Sequence, residues 1–432
     1  MATTETPAGT RSPAHSFSYE LTALLLLGLA YGFAYFDRMS MTFLGPFVAE
    51  GLSLNKTEIG WLGSGLSLTW ALGAYFVGRW SDSIGKRKPF LLGALVVFSL
   101  CSVLSGLAWN FSTLFATRVV MGMAEGPFLP ICLAIIASAS AASRKGLNSG
   151  IVQNAFGSII GTVLAPWLLV SLATAYSWRA AFYLAGVPGL ILALLIWLFI
   201  ADPELPSASY SRHGHGETPL SQRIVRMVVD ELKMLIALLR NPNIRICSAV
   251  SIFAIGSVVI GSIFMPFYLD GPRHIAPETW KWMMAVVGFS PALGAVLLGL
   301  LSDRIGRKPP MILGGLLMAL PPSALLFVQA SPAALTALMF LGWMGMGIFP
   351  LFMGVVPGET LGRARAATAM GMVVMIGELT GGVFGPPIAG KLADNYSLDV
   401  PMWIQAGLAL GAALAALGLA ETNQRVLARR VD

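Results

Sequence analysis

Twelve apolar runs of roughly 20 or more residues follow one another along this chain, at about 19–48, 57–79, 89–108, 111–138, 146–173, 178–200, 244–270, 277–301, 309–329, 331–357, 366–392 and 398–420. A helix of about 20 residues spans the hydrocarbon core of a bilayer. Inside hydrocarbon the backbone has to satisfy its own hydrogen bonds, and runs this apolar do so as helices. Composition agrees, with 56% hydrophobic and only 11% charged residues, where a soluble domain carries about 25%. The expected fold class is therefore all-α, an integral membrane bundle of twelve spans. The first run is too long for a signal peptide, lacks a clear cleavage site and follows a polar tail, residues 1–18, expected to be disordered.

Lys and Arg are distributed unequally between alternate loops: 21 fall on the side of both termini and five (Lys56, Arg179, Arg273, Lys281, Lys391) on the other. By the positive-inside rule both termini are expected in the cytoplasm. The net charge of +7 is then one-sided loop charge and needs no nucleic-acid partner. Cys101, Cys132 and Cys247 fall inside spans without metal-ligand spacing, as small buried hydrophobes do. No His lies in a span; His213 and His215 sit in a Gly/Ser-rich segment, read as solvated linker with metal binding as the lesser alternative. Without a Ser/His/Asp set or a metal cluster an embedded enzyme is not expected. No cofactor is implied.

The chain also repeats itself. GRWSDSIGKRKP at 78–89 returns as GLLSDRIGRKP at 299–309, and Gly157, Gly161 and Pro166 return as Gly377, Gly381 and Pro386. The offsets of 220 to 221 mark a duplicated six-helix unit: an N-terminal half at 19–200, a linker at 201–243, a C-terminal half at 244–421 and a tail at 422–432. The linker carries Ile224, Val228, Leu232, Leu235 and Leu239 at helical spacing, an amphipathic helix expected to lie on the cytoplasmic interface.

The repeated motif is not a phosphate-binding loop: six residues separate Gly78 from Gly85 and Arg87 follows the Lys. It resembles the signature loop of the major facilitator superfamily, whose two six-helix halves match this chain over nearly its whole length. The resemblance implies that Asp82, Arg87, Asp303 and Arg307 serve gating and structure on the cytoplasmic side. It also implies alternating access around a central site, which parallel duplicated halves suit.

The halves differ in their buried charges. Aligning RVVMGMAEGPFLP at 118–130 with LGWMGMGIFPL at 341–351 matches Gly122 to Gly345 and Pro127 to Pro350, so that Arg118 faces Leu341 and Glu125 faces Ile348. Charges at such depth cost at least about 2.5–3.5 kcal/mol each and are a functional hypothesis by default. Arg118 and Glu125 are separated by about 10.5 Å along the helix, so each is expected to reach another neighbour, with Asp37 and Arg38 of the first span the candidates. The alternative is a static cluster joining spans 1 and 4, with Gly122 and Gly126 supporting close packing. Tyr31, Tyr35 and Arg38 share one helical face and would offer a carboxylate two phenols and a guanidinium fork, unless that face only packs on another helix. Ser257, Gly261, Phe264 and Tyr268 form a similar stripe on span 7. Glu378 stands among glycines where the duplicated position holds Ser158, either functional or an internal hydrogen-bonding group.

Asp37, Arg38, Arg118, Glu125 and Glu378 sum to −1 if all are ionised. An anionic substrate would make −2, which a low-dielectric site resists, and a proton on one or two carboxylates relieves it. Proton and anion would then promote each other's binding, the coupling a symporter needs.

At finer grain the Asp37-Arg38 pair, R-x-x-x-G-x-x-E-G-P-x-x-P in span 4 and SWRAAFYLAGVPG at 177–189 resemble the anion:cation symporter group. That resemblance implies that Arg38 and Tyr35 hold a substrate carboxylate, that Asp37 and Glu125 couple protons and that Arg118 interacts with Glu125. It adds Trp70 on span 2 and Gln153 or Asn154 on span 5 as substrate neighbours. Glu378 departs from the group, which more often has an amide or small residue there, and opens a role toward a hydroxyl, an ammonium or a second proton. The expected function is proton-driven symport of a small organic anion (a sugar acid, hydroxy acid or aromatic acid) by a monomer in a bacterial inner membrane. The alternatives are a proton-coupled exporter of cationic drugs, against which the two buried arginines argue, and a Spinster-like lipid exporter.

Overall fold

The computed structural model describes residues 17–141, 143–203, 233, 236–361 and 363–428. Among them no strand occurs. In chain order the long helical elements are α1 (Phe17–Leu52), α2 (Lys56–Ile84), α3 (Lys88–Gly106), α4 (Phe111–Ala139), α5 (Lys145–Ala175), α6 (Trp178–Phe199), α7 (Pro242–Asp270), α8 (Pro277–Ile305), α9 (Lys308–Phe327), α10 (Pro332–Leu361), α11 (Thr368–Asn395) and α12 (Asp399–Ala416). Eleven of them are long and apolar enough to cross a membrane. The exception is α2, 29 residues long but rich in Gly, Ser and Thr. Most of the linker, His213 and His215 included, and the outer parts of both tails lie outside the described residues.

Local chemistry explains where the helices begin and end. Asn55 accepts from Glu58 N while the Glu58 carboxylate accepts from Asn55 N, a reciprocal cap for α2. Asn110 caps α4 in the same reciprocal way, and Ser177, Asn241 and Ser331 cap α6, α7 and α10 by accepting backbone N–H groups with their side-chain oxygens. Both signature loops turn on a glycine at positive φ, Gly85 at 73° and Gly306 at 102°, where a β-carbon would be strained. The sequence pattern ends span 2 at 79 and span 8 at 301, but both helices continue through the motif's Ser-Asp to these glycines.

Packing between helices depends on close backbone approach. A β-carbon on Gly126 would strike the backbone of Trp70 to Ala74, and one on Gly73 the Met123 carbonyl. The second half reproduces this with Gly347 against Gly294 and Ala295, and Gly294 against the Met344 carbonyl. These contacts are related by 221 residues, which corrects the sequence alignment of α4 with α10 by two positions. Arg118 answers Met339 and Glu125 answers Met346. The reason is local: Gly126 and Pro127 are adjacent, whereas Gly347 and Pro350 are three apart, and α10 absorbs the extra residues in a 3-10 stretch, Met344–Ile348, and a π stretch, Leu351–Val355. For α5 and α11 the 220 offset stands, because Gly157 packs on Tyr31 as Gly377 packs on Ser251.

The halves meet at one end of the bundle, the end with few Lys and Arg. There Asp394 accepts from Lys56 N (2.8 Å), Thr57 N (2.9 Å) and Thr57 Oγ1 (2.6 Å), so a carboxylate of one half caps a helix of the other. Lys281 Nζ donates to Ser171 Oγ at 2.9 Å and pairs with Glu278, which accepts from Thr174 Oγ1 at 3.0 Å. One apolar core runs through both halves here, including Phe43, Leu44, Phe264, Trp280 and Met402, while separate cores fill the rest of each half. At mid-depth Thr162 Oγ1 donates to the Gly288 carbonyl at 3.0 Å.

At the opposite end each signature loop is tied within its own half. Asp202 Oδ1 accepts from the backbone N–H of Arg87 and Lys88, each at 2.9 Å. Glu421 likewise accepts from Arg307 N at 2.9 Å. Arg307 also binds Asp303 Oδ1 and Glu359 Oε1, each at 2.6 Å, and Ser302 Oγ at 2.9 Å. Burial pushes the Glu421 carboxyl up, but donors from Arg307, Asn423, Lys308 and Thr422 outweigh it and hold it below the ordinary glutamate value. The Asp82 side chain is not among those described.

Candidate functional site

Between the halves lies a cavity of about 430 Å³, the size of a small-ligand site. Tyr35 and Arg38 reach it from α1, Ser67 from α2, Arg118 from α4, Ser158 and Thr162 from α5, Ser262 from α7, Trp343 from α10 and Glu378 from α11. Much of the remaining wall is apolar. Glu378 begins a π-helical stretch, Glu378–Phe384, and Ser158 lies in the corresponding wide stretch of α5, Ile151–Leu164. Widened turns of this kind are frequent at functional sites.

Arg38 lies over the Trp70 ring, 4.6 Å from guanidinium carbon to ring centre, a cation–π contact. Among the described residues its guanidinium has neither a hydrogen-bond acceptor nor an ion-pair partner, although it stands in Coulombic range of Glu125 and Glu378. Arg118 is fully buried. It donates from Nη2 to Ser105 Oγ at 2.9 Å and packs over Phe182 at 5.1 Å, while its Nε and Nη1 have no acceptor.

Asp37 is equally buried and points from α1 toward α3, where Oδ1 accepts from Ser102 Oγ at 2.6 Å and Oδ2 has no donor. Glu125 has no hydrogen-bond partner for either oxygen. Asp37, Arg118 and Glu125 therefore form an electrostatic group without a direct ion pair. The expected contact of Arg118 with Glu125 is not a salt bridge, and neither of them hydrogen-bonds to Asp37 or Arg38. The residues that serve Asp37 and Arg118, Ser102 and Ser105, were not singled out in the sequence. Their signal is a row of three serines, Ser99, Ser102 and Ser105, at spacing three in an otherwise apolar α3.

Tyr31 and Tyr35 stack with ring centres 6.2 Å apart and planes 14° from parallel, covering Gly157 and Gly161 of α5. Tyr35 also reaches the cavity, whereas Tyr31 does not line it. Gln153 and Asn154 are exposed and outside the lining. Tyr268 lies away from the cavity, donating to Asp399 Oδ1 at 2.7 Å near the closed end. The α7 stripe that contains it turns to α12: Ser257 donates to the Gln405 carbonyl at 3.0 Å, and the Gln405 side chain covers Gly261. The cavity face of α7 is instead Ile255, Val258, Val259, Ser262 and Ile263.

Comparison with known proteins gives the same architecture. The chain is 25% identical over 415 residues to the hexuronate transporter of Bacillus subtilis (strain 168), covering 92% of this chain and 94% of that one. It is 25% identical over 352 residues, 80% and 78% of the two chains, to a probable 4-methylmuconolactone transporter of Cupriavidus pinatubonensis. A crystal structure of the nucleoside transporter NupG superposes with a TM-score of 0.72 at 17% identity, over 93% of this chain and 98% of that one. The family model described as Major Facilitator Superfamily matches residues 27–272 and 246–430. With a duplicated helical bundle, a cavity between its halves and a family match over most of its length, the chain belongs to the major facilitator superfamily and is a multi-pass membrane transporter.

Proposed function

We propose that this transporter is a proton-coupled symporter of a small organic anion, working by alternating access. Arg38 carries the reading: a guanidinium on a mostly apolar cavity wall, braced by Trp70, with its donors free of protein acceptors among the described residues. Such a fork matches a carboxylate. Arg118 on the same wall adds a second positive charge, its Nε and Nη1 buried without acceptors. The similarity to a hexuronate transporter supports the choice, since a hexuronate is a carboxylate.

The carboxylates within the spans supply the coupling. Asp37, Glu125 and Glu378 outnumber the two arginines by one, and an incoming anion raises the deficit unless a carboxylate takes up a proton. Glu125, buried and without hydrogen-bond partners, is the group whose protonation costs no existing bond. Asp37 is the second, because Ser102 leaves one of its oxygens unpaired. The loop charge supports a topology with both termini in the cytoplasm and the joined end outside, and on that reading the conformation is inward-facing. Arg87, Asp303 and Arg307, at the cytoplasmic end, release and re-form contacts during the cycle. A bacterial inner membrane and a monomeric carrier complete the reading.

Proton movement in proteoliposomes, followed with an internal pH dye, tests it. Acidification that requires a particular carboxylate and exceeds that of protein-free vesicles is expected. A response to lipophilic amines alone, with silence toward every acid, would replace symport by cation antiport.

A further inference from the structure

The duplication pairs the two walls of the cavity residue by residue. At an offset of 220, Tyr35 corresponds to Ile255, Arg38 to Val258 and Ser158 to Glu378, and all six side chains line the cavity. The polarity of the two walls is therefore reversed: the first carries both arginines, and the second is apolar except at Ser262, the Trp343 indole and Glu378. The Trp343 Nε1 has no acceptor. Glu378 has neither a hydrogen bond nor an ion pair among the described residues, and Gly382 leaves room for it, since Oε2 lies 2.8 Å from where a β-carbon there would sit.

We infer that Glu378 is a specificity determinant: it receives a hydrogen-bond donor, hydroxyl or ammonium, on the far end of a substrate whose carboxylate lies on Arg38 and whose body is apolar. This rests on the reading of Arg38 as a carboxylate site. On the second wall a polyhydroxylated sugar acid would press its hydroxyls against Val258, Val259, Ile263, Met284, Phe349 and Met353. Each hydroxyl buried without a partner loses its hydrogen bonds to water and gets none in return, which weakens binding. An aromatic or branched acid fills the same walls favourably, and one terminal donor is all that Glu378 asks of it. A site built to bond a donor also discriminates strongly against the analogue lacking it, because the carboxylate is then left unpaired.

Isothermal titration calorimetry on the purified full-length protein tests the inference with phenylacetate, phenylpropionate, their para-hydroxyl and para-aminomethyl derivatives, and a hexuronate. At least one donor-bearing acid should bind the wild type tenfold or more tightly than its unsubstituted parent, and the hexuronate should bind more weakly than that acid. In Glu378→Met, which keeps the volume but not the acceptor, the preference for the donor-bearing acid over its parent should fall below twofold, read as a ratio so that any common change in anion affinity from the lost charge cancels. Glu378→Ala repeats the measurement, and parent-acid binding serves as the folding control for both. Equal affinity for all aromatic acids, a preference that survives both substitutions, or tightest binding of the hexuronate would overturn the inference while leaving the anion site standing. If the wild type binds no carboxylate at all, the anion reading and the inference fall together.

Discussion

Gly73 meets the Met123 carbonyl in the first half, and 221 residues later Gly294 meets that of Met344. Along the cavity the same duplication pairs Arg38 with Val258 and Ser158 with Glu378. The first kind of position has been kept and the second has diverged, and the difference is physical. Where two helix backbones touch, any β-carbon would collide, so glycine has no substitute. Where a side chain faces a cavity, a change of charge disturbs no packing. The scaffold is thus symmetric where atoms are crowded and asymmetric where they are not, and the proposed anion site occupies the uncrowded positions.

The largest effect should come from breaking the symmetric part. Gly73→Val and Gly294→Val are expected to remove most folded protein, to a similar degree in both halves, as judged by monodisperse yield on size-exclusion chromatography. A well-folded product from either would dissolve the equivalence. Next come the asymmetric wall pairs. Arg38→Ala is expected to weaken anion binding about 100-fold, in line with the several kcal/mol of a charge-assisted contact, while Val258→Ala changes it by no more than about threefold; calorimetry reads both.

Glu125→Gln should remove proton-driven accumulation in proteoliposomes while substrate-for-substrate exchange continues, because exchange needs no net proton. An unchanged pH dependence of uptake would take Glu125 out of the coupling. Asp394→Asn tests the join between halves. It weakens the cross-half cap on α2 and should raise the labelling of a cysteine placed near residue 57 several-fold, without loss of folded yield.

The smallest effect concerns Glu421, which together with Asp202 holds the N-termini of α9 and α3. Its carboxyl is held below the ordinary glutamate value, so its contribution to stability is complete above that value and is lost as the pH falls through the lowered one. The melting temperature of Glu421→Gln should lie about 1–2 °C below wild type at neutral pH, and the gap should close toward pH 3. A gap that stays constant with pH would assign the effect to packing.

Much of the fold could be read from the residues because the signals were redundant: apolar run length, a duplicated motif and one-sided loop charge all give the same bundle. Buried charges were equally visible, since Arg118 or Glu378 in hydrocarbon demands a reason. What stayed hidden was direction. Helical spacing groups Tyr268 with Ser257 and Gly261, yet it cannot say whether that stripe turns to the cavity or to α12, because small polar residues suit either. Gln153 and Asn154 were brought in by resemblance and lie outside the lining for the same reason. The partners of Asp37 and Arg118 were missed because serines in an apolar helix cost little and attract no notice. The two-residue error in aligning α10 arose from trusting Pro350, whereas Gly347 carries the packing.

The N-terminus of α2 is satisfied twice, by its own Asn55 and by Asp394 from the other half. When the halves part, the helix keeps its own stop and does not fray, and the groups released find water in exchange. Each such exchange amounts to about 0.5–1.5 kcal/mol, so the polar fastening of this end can come undone on a scale of a few kcal/mol, while the apolar core shared there has to part as well. A carrier fastened by burial alone would rest in one shape. On the proposed symport reading, replaceable bonds at this end lower the cost of parting the halves, and a ligand that binds the two arrangements unequally sets their balance.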